Sequence, residues 1–219
     1  MQVSAPGSGS TSNLLNQNIL VINQKTKLIE VNTEFGLYSK DGLQLGSVRQ
    51  VGQSRLKKVF RFVDQLDQFF THKFQVVDAS GRVVLGLTRP RKFFLSRVVV
   101  TDAFGADVGE IVQQNVFGKI RFLFYAGGQE VGGIFAENWR AWNFAIRDSD
   151  GREVARVTKT FEGILRTLYT SADHYVLEVH EELEDPLRQF VFATAVSIDI
   201  ALKQDARGLG RLSIFDLGS

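Results

Sequence analysis

Apolar side chains recur along this chain at fixed distances behind glycine. Gly42, Gly81, Gly105, Gly128 and Gly151 are followed three residues on by Leu45, Val84, Val108, Val131 and Val154, and six residues on by Val48, Leu87, Ile111, Ile134 and Val157. The position four residues on is small in four copies (Gly46, Gly109, Gly132, Ala155) and is Leu85 in the other. Asp78, Asp102 and Asp148 stand three residues before their glycines, and the last four glycines are 24, 23 and 23 residues apart. Asp-x-x-Gly is turn chemistry: the carboxylate accepts from the backbone two residues on, and glycine takes a positive φ without steric cost. The segments entering these turns, such as 74–78 and 142–148, alternate large apolar residues with smaller or polar ones, the period of a strand with one inward face. The pattern predicts a serial array of β-hairpins, with the repeated Gly and Asp as turn residues.

Strands are predicted near 35–39, 43–50, 58–63, 72–77, 82–88, 96–101, 107–113, 119–125, 129–136, 141–147, 152–158 and 174–180, after an opening hairpin of 19–23 and 28–31. The fold class is therefore mainly β, a closed antiparallel barrel of about 12 strands. The links 50–58 and 161–173 are longer and more polar. The chain then changes character. Asp185-Pro186 reads as a helix start, a capping carboxylate followed by proline at the first helical position. From Phe190 to Ile198 every position is apolar or small, so no face is left for water. A bilayer span needs about 20 apolar residues, and Arg188 and Asp199 bracket only ten positions. The expectation is a core helix over about 186–204, inside the barrel, with Asp199 as a charge that needs a partner there.

The chain has 219 residues, 44% apolar, with 18 Phe and 3 Pro, which suits one domain with a large core. The expected domain is 18–209, between a Ser/Gly-rich tail at 1–17 and a tail at 210–219. The first stretch lacks the apolar run of a signal peptide. With no cysteine in the sequence, disulfides, thiolate metal sites and cysteine nucleophiles are excluded. A cytoplasmic, non-secreted protein is expected. Net charge is +2 but lopsided: residues 1–122 carry 16 Lys/Arg against 9 Asp/Glu, a net +7, and residues 123–219 carry 10 against 15, a net −5. Either one half of the chain faces an anionic partner or the barrel mixes both halves over its surface.

Several residues resemble, in their order, the phospholipid scramblase-like and LURP-one-related group, whose fold is the tubby-like barrel around a C-terminal helix. Leu87-Thr88-Arg89-Pro90 resembles that group's Arg-Pro step. Lys159-Thr160-Phe161-Glu162-Gly163, then 169–175, then the Asp185 helix with Ser197-Ile198-Asp199, follow its C-terminal order. The resemblance covers roughly 18–209 and looks closest to short bacterial members. It implies a non-enzymatic protein that binds anionic membrane lipid, phosphoinositide included, and assists phospholipid movement between leaflets. It also implies a peripheral place on the inner face of the plasma membrane. The cysteine cluster that animal members palmitoylate has no counterpart here. Of their acidic calcium segment, Asp173 matches, while Ser171 and His174 replace acidic or polar positions.

Two basic stretches interleave cations with apolar residues: Arg55, Lys57, Lys58 and Arg61 with Leu56, Phe60 and Phe62, and Arg89, Arg91 and Lys92 with Phe93 and Phe94. Each Lys or Arg near an anionic leaflet contributes about 1 kcal/mol. The alternative is a solvated barrel face with its apolar residues turned inward. Nucleic acid is not expected, because the chain lacks a strongly basic balance. Asp173, Glu178 and Glu182 are candidate calcium ligands, without the spacing of a calcium loop; solvated glutamates are the plainer reading. No cofactor is required. His72, His174 and His180 have no fixed partners for a zinc site or a catalytic triad. The competing functional reading is a soluble ligand-binding or protein-interaction scaffold.

Overall fold

The computed structural model describes residues 13–23, 33–51, 71–90, 96–115, 120–138, 143–158 and 174–197. Twelve strands run in chain order: β1 Ile19–Asn23, β2 Thr33–Ser39, β3 Gln44–Val51, β4 His72–Asp78, β5 Val83–Arg89, β6 Arg97–Thr101, β7 Asp107–Gln113, β8 Arg121–Ala126, β9 Gln129–Asn138, β10 Asn143–Asp148, β11 Glu153–Thr158 and β12 His174–Val179. Each pairs antiparallel with its neighbours in sequence, and β12 pairs with β1 to close the barrel. Closure leaves no unpaired sheet edge. Two expected strands fall outside this ladder. β1 pairs directly with β2 and β3 directly with β4, so nothing is inserted between them; 28–31 and 58–63 lie outside the described residues.

The repeated pattern has a cause that alternation alone does not supply. Residues three apart on a regular strand point to opposite faces, yet Val84 and Leu87, or Val154 and Val157, are all buried in one core. Register shifts at the start of β3, β5, β7, β9 and β11 resolve this. In each, one residue is skipped in the pairing: Leu45, Val84, Val108, Val131 and Val154. These are β-bulges, which turn an extra side chain inward and tighten the strand's twist. The small residue that follows sits against the next strand. A Cβ at Gly46 would collide with the Val77 carbonyl oxygen, and one at Gly109 with that of Tyr125.

The turns obey the same economy. In the β4–β5 turn Asp78 N donates to Arg82 O (2.9 Å) and Gly81 N to Asp78 O (2.9 Å), a three-residue loop with Gly81 at φ 82°. Ser39 occupies the aspartate's place before Gly42, and its Oγ accepts from Asp41 N and Leu43 N at 3.2 Å. The β8–β9 turn differs: Gly127 and Gly128 both have positive φ (56° and 80°), a two-residue hairpin.

Helix α1 (187–197) fills the interior. Every residue from Phe190 to Ser197 is buried, more than two turns with no exposed face. Phe190 stacks on Phe124 of β8 at 5.3 Å between centroids, and helix and barrel form a single apolar cluster. The remainder of the expected helix, 198–204 with Asp199, lies outside the described residues. At its start, Asp185 does not act through its carboxylate as drawn from sequence: both oxygens receive the Arg188 guanidinium at 3.0 Å. The folded unit also begins before residue 18. A short 3-10 helix at Asn13–Asn16 buries Leu14 and Leu15 in the core.

Candidate functional site

The up-and-down order sorts the chain's connections onto two rims. The glycine turns (β2–β3, β4–β5, β6–β7, β8–β9, β10–β11) share one rim. α1 starts at this glycine rim, since a Cβ at Gly132, early in β9, would meet Leu187. The strand ends at the opposite rim bracket six stretches outside the described residues: 24–32, 52–70, 91–95, 116–119, 139–142 and 159–173. Their sequences carry 12 Lys/Arg against 5 Asp/Glu, 8 of the 18 Phe and both Trp. Arg55, Lys57, Lys58, Arg61, Arg91 and Lys92 all belong to them. The ends that bracket these cations, Val51 and His72, Arg89 and Arg97, lie on neighbouring strands of this basic rim.

Arg89 is placed differently from a surface cation. It follows Leu85 and Leu87 at alternate positions of β5, points inward with them and is 5% exposed. It also has company. On β3 Gln50 follows the inward Val48; on β4 His72 precedes the inward Phe74; just before β6 Ser96 precedes Val98; on β7 Gln113 follows Ile111. Five adjacent strands thus end inward in polar side chains at the basic rim. His72 and Arg89 are register partners, Gln50 Nε2 lies 3.0 Å from His72 Nδ1, and Ser96 N donates to Gln113 Oε1 at 3.0 Å. The sequence held a signal for this arc: counting by two past the last core residue of each strand lands on all five.

Residues 2–202 match the Scramblase family. The chain belongs to that family. A phospholipid scramblase family protein of Schizosaccharomyces pombe is 24% identical over 191 residues, covering 78% of this chain and 49% of the yeast protein. The chain therefore spans about half the length of this relative. No solved structure matches the chain.

Scramblase kinship directs attention to membranes. No helix among the described residues is long and apolar enough to cross a bilayer. No cluster of three or more His, Asp or Glu among them could hold a metal ion. Of the calcium candidates, Glu178 is exposed on β12 beside Arg156 in register, Glu182 lies past the strand's end, and Asp173 is outside the described residues. His174 opens β12, and His180 is exposed with its backbone N donating to Val154 O (2.9 Å).

At the glycine rim the charges are committed locally. Burial pushes Asp78 up, but hydrogen bonds from Ser80 Oγ, Arg82 and Ser80 N outweigh it and hold the carboxyl down at about 2. Asp148 is lowered in the same way, chiefly by Arg152. Arg156 on the outer wall binds Glu153 (2.8 Å) and Glu137 (2.7 Å), which raise its pKa further. Leu43 and Phe104, the exposed large apolar side chains among the described residues, are 67% and 95% accessible near the tips of two glycine turns.

Proposed function

We propose that this chain binds anionic membrane phospholipid through the basic rim of its barrel, as a peripheral protein. The observation that carries the reading is the composition of the stretches bracketed there, cations and aromatics together, in a member of the Scramblase family. Lys and Arg are attracted to an anionic leaflet, and Trp and Phe lodge at its interface. The fission yeast relative is described as a phospholipid scramblase family protein, and phospholipid movement between leaflets is the activity to which this binding would contribute. The eleven residues described in α1 span about 16 Å against about 30 Å of hydrocarbon. Movement of a headgroup thus needs a polar route that this helix does not provide by itself, and binding is the step the barrel supports directly.

Co-sedimentation with phosphatidylcholine vesicles, alone or carrying phosphatidylserine or a phosphoinositide, with and without calcium, tests this. The chain is expected to pellet with the anionic vesicles and to be released by salt. Reversing Lys57, Lys58 and Arg61 to Glu removes three favourable charges, at about 1 kcal/mol each, and adds three repelling ones, so partition weakens by more than about a hundredfold. No pelleting with any anionic vesicle sinks the proposal.

Leu43 and Phe104 favour a second reading, in which the glycine rim docks a protein partner and the barrel is an interaction scaffold. Each side chain stands out from a turn of that rim, where contact with a partner would bury it. No pelleting with any vesicle, with association to a protein partner that Phe104→Ser abolishes, would turn the choice toward that rim.

A further inference from the structure

We propose that the inward polar arc at the basic rim is a binding site for a phosphate group, built from Arg89, Ser96 and Gln113 of the barrel and Thr194 of α1. Three observations converge. Of the seven buried polar side chains among the described residues, five are Arg89, Ser96, Gln113, Thr194 and Ser197. Arg89 is the charged one of that set, and it is a cation. Ser96 Oγ and Thr194 Oγ1, 1% and 2% exposed, find no hydrogen-bond partner among the described residues.

The helix brings its hydroxyls to the β7 end of the arc. Phe190 packs on Phe124 of β8, and a Cβ at Gly109 of β7 would meet its ring. Thr194 and Ser197 lie four and seven residues later, on the same helical face. At about 1.5 Å per residue they stand roughly 6 and 10 Å further from the glycine rim, towards the end of β7 that bears Gln113. Ser197 Oγ bonds back to Thr194 O at 3.5 Å, leaving the Thr194 hydroxyl to something else.

The donor set fits an oxyanion. A guanidinium presents several N–H groups in a fork that matches phosphate geometry. The two hydroxyls add further donors. The Gln113 carboxamide is engaged by Ser96 N at its oxygen and by Asn115 O at its nitrogen, and so fixes the wall beside Ser96. The arc (Gln50, His72, Arg89, Ser96, Gln113) contains no carboxylate to repel an anion. An unsatisfied buried hydroxyl is costly, and two of them in the half of the barrel that also holds a buried arginine are explained by a ligand that receives their hydrogen bonds. The phosphate can come from a phospholipid headgroup or from a soluble phosphate compound. Choosing the headgroup rests on the lipid reading above; the phosphate chemistry does not.

The full chain is titrated calorimetrically with inorganic phosphate and with monomeric dihexanoylphosphatidylserine, without vesicles. Saturable binding of either is expected. Stronger binding of the short-chain lipid assigns the headgroup as the source, and binding of the ion alone assigns a soluble phosphate compound. Arg89→Lys should weaken binding about tenfold or more, as expected for a lost charge-assisted fork. Because Arg89 variants can unfold, Thr194→Val and Ser96→Ala provide the second arm. They remove unpartnered hydroxyls, so folding stability is kept or raised, while phosphate affinity falls severalfold. Stabilisation with unaltered affinity, or no saturable binding of either probe, overturns the site. Vesicle binding that persists in these variants leaves the basic-rim reading standing, so each proposal can fail alone.

Discussion

The two rims of the barrel solve opposite problems. At the glycine rim the loops of the four Ser/Asp turns are three residues long and hydrogen-bonded within themselves: Asp102 Oδ1 accepts from Phe104 N and Ala106 N at 2.8 Å, as Asp78 and Asp148 accept from their own turns. The polar groups there are consumed in making the hairpins. At the basic rim, strands five adjacent places round the barrel end in inward polar groups, and the bracketed stretches run from 4 to 19 residues. Chain length can vary there at small entropic cost, because loop closure depends only weakly on length. Short turns bonded within themselves and longer, basic connections are thus separated along the barrel axis.

The sharpest way to break this comparison lies at the bulges. Gly109→Ala sets a Cβ against the Tyr125 carbonyl at φ 136°. Left-handed strain of about 1–2 kcal/mol and overpacking of about 1–3 kcal/mol should together cost about 2–5 kcal/mol, read by urea denaturation. Gly151→Ala meets nothing within 4 Å at φ 84° and should lose only the strain, about 1–2 kcal/mol. Equal losses at the two sites would mean that the bulge contact does not govern closure.

Function should divide the other way. Reversal of Lys57, Lys58 and Arg61 is expected to lower partition onto anionic vesicles by more than about a hundredfold without moving the urea midpoint. Leu43→Ser with Phe104→Ser, at the opposite rim, should leave partition within about twofold, as surface changes away from a site do. A reversed result would exchange the roles of the rims.

These differences follow how the sequence could be read. The hairpin array, the near count of twelve strands and the enclosed helix were legible, because turn glycines and an all-round apolar segment are local signals. The bulges were present in the spacing of Val84 and Leu87 but invisible as bulges, since pairing register depends on the neighbouring strand. Arg89 illustrates the loss at the site. Beside Arg91 and Lys92 it reads as one of three surface cations; only its parity with Leu85 and Leu87, once the bulge fixes the face, turns it inward. Ser96 and Gln113 are ordinary in sequence and become a pair only when β6 and β7 meet. Asp185 has the sequence context of a cap, and only the structure shows Arg188 taking its carboxylate.

The smallest effect tests whether the glycine rim's charges serve folding alone. Asp78 is held at about 2 against its usual 3.8, a folded-state pKa below the unfolded one. Its stabilisation is complete above about pH 4 and is lost as pH falls through about 2. Since Arg82 is 67% exposed, solvent screening trims the gain to about 1–2 kcal/mol. Denaturation at pH 7, 4 and 2.5 should show stability falling between the last two, and Asp78→Asn should flatten part of that fall while lowering stability at pH 7. Because Asn keeps an oxygen for Ser80 N and Arg82 N, the loss at pH 7 should be smaller than for Asp78→Ala. Vesicle partition of Asp78→Asn at pH 7 should match the parent chain, since its carboxylate faces only its own turn. If partition changes with this carboxylate, the rims are coupled through the barrel wall and the separation fails.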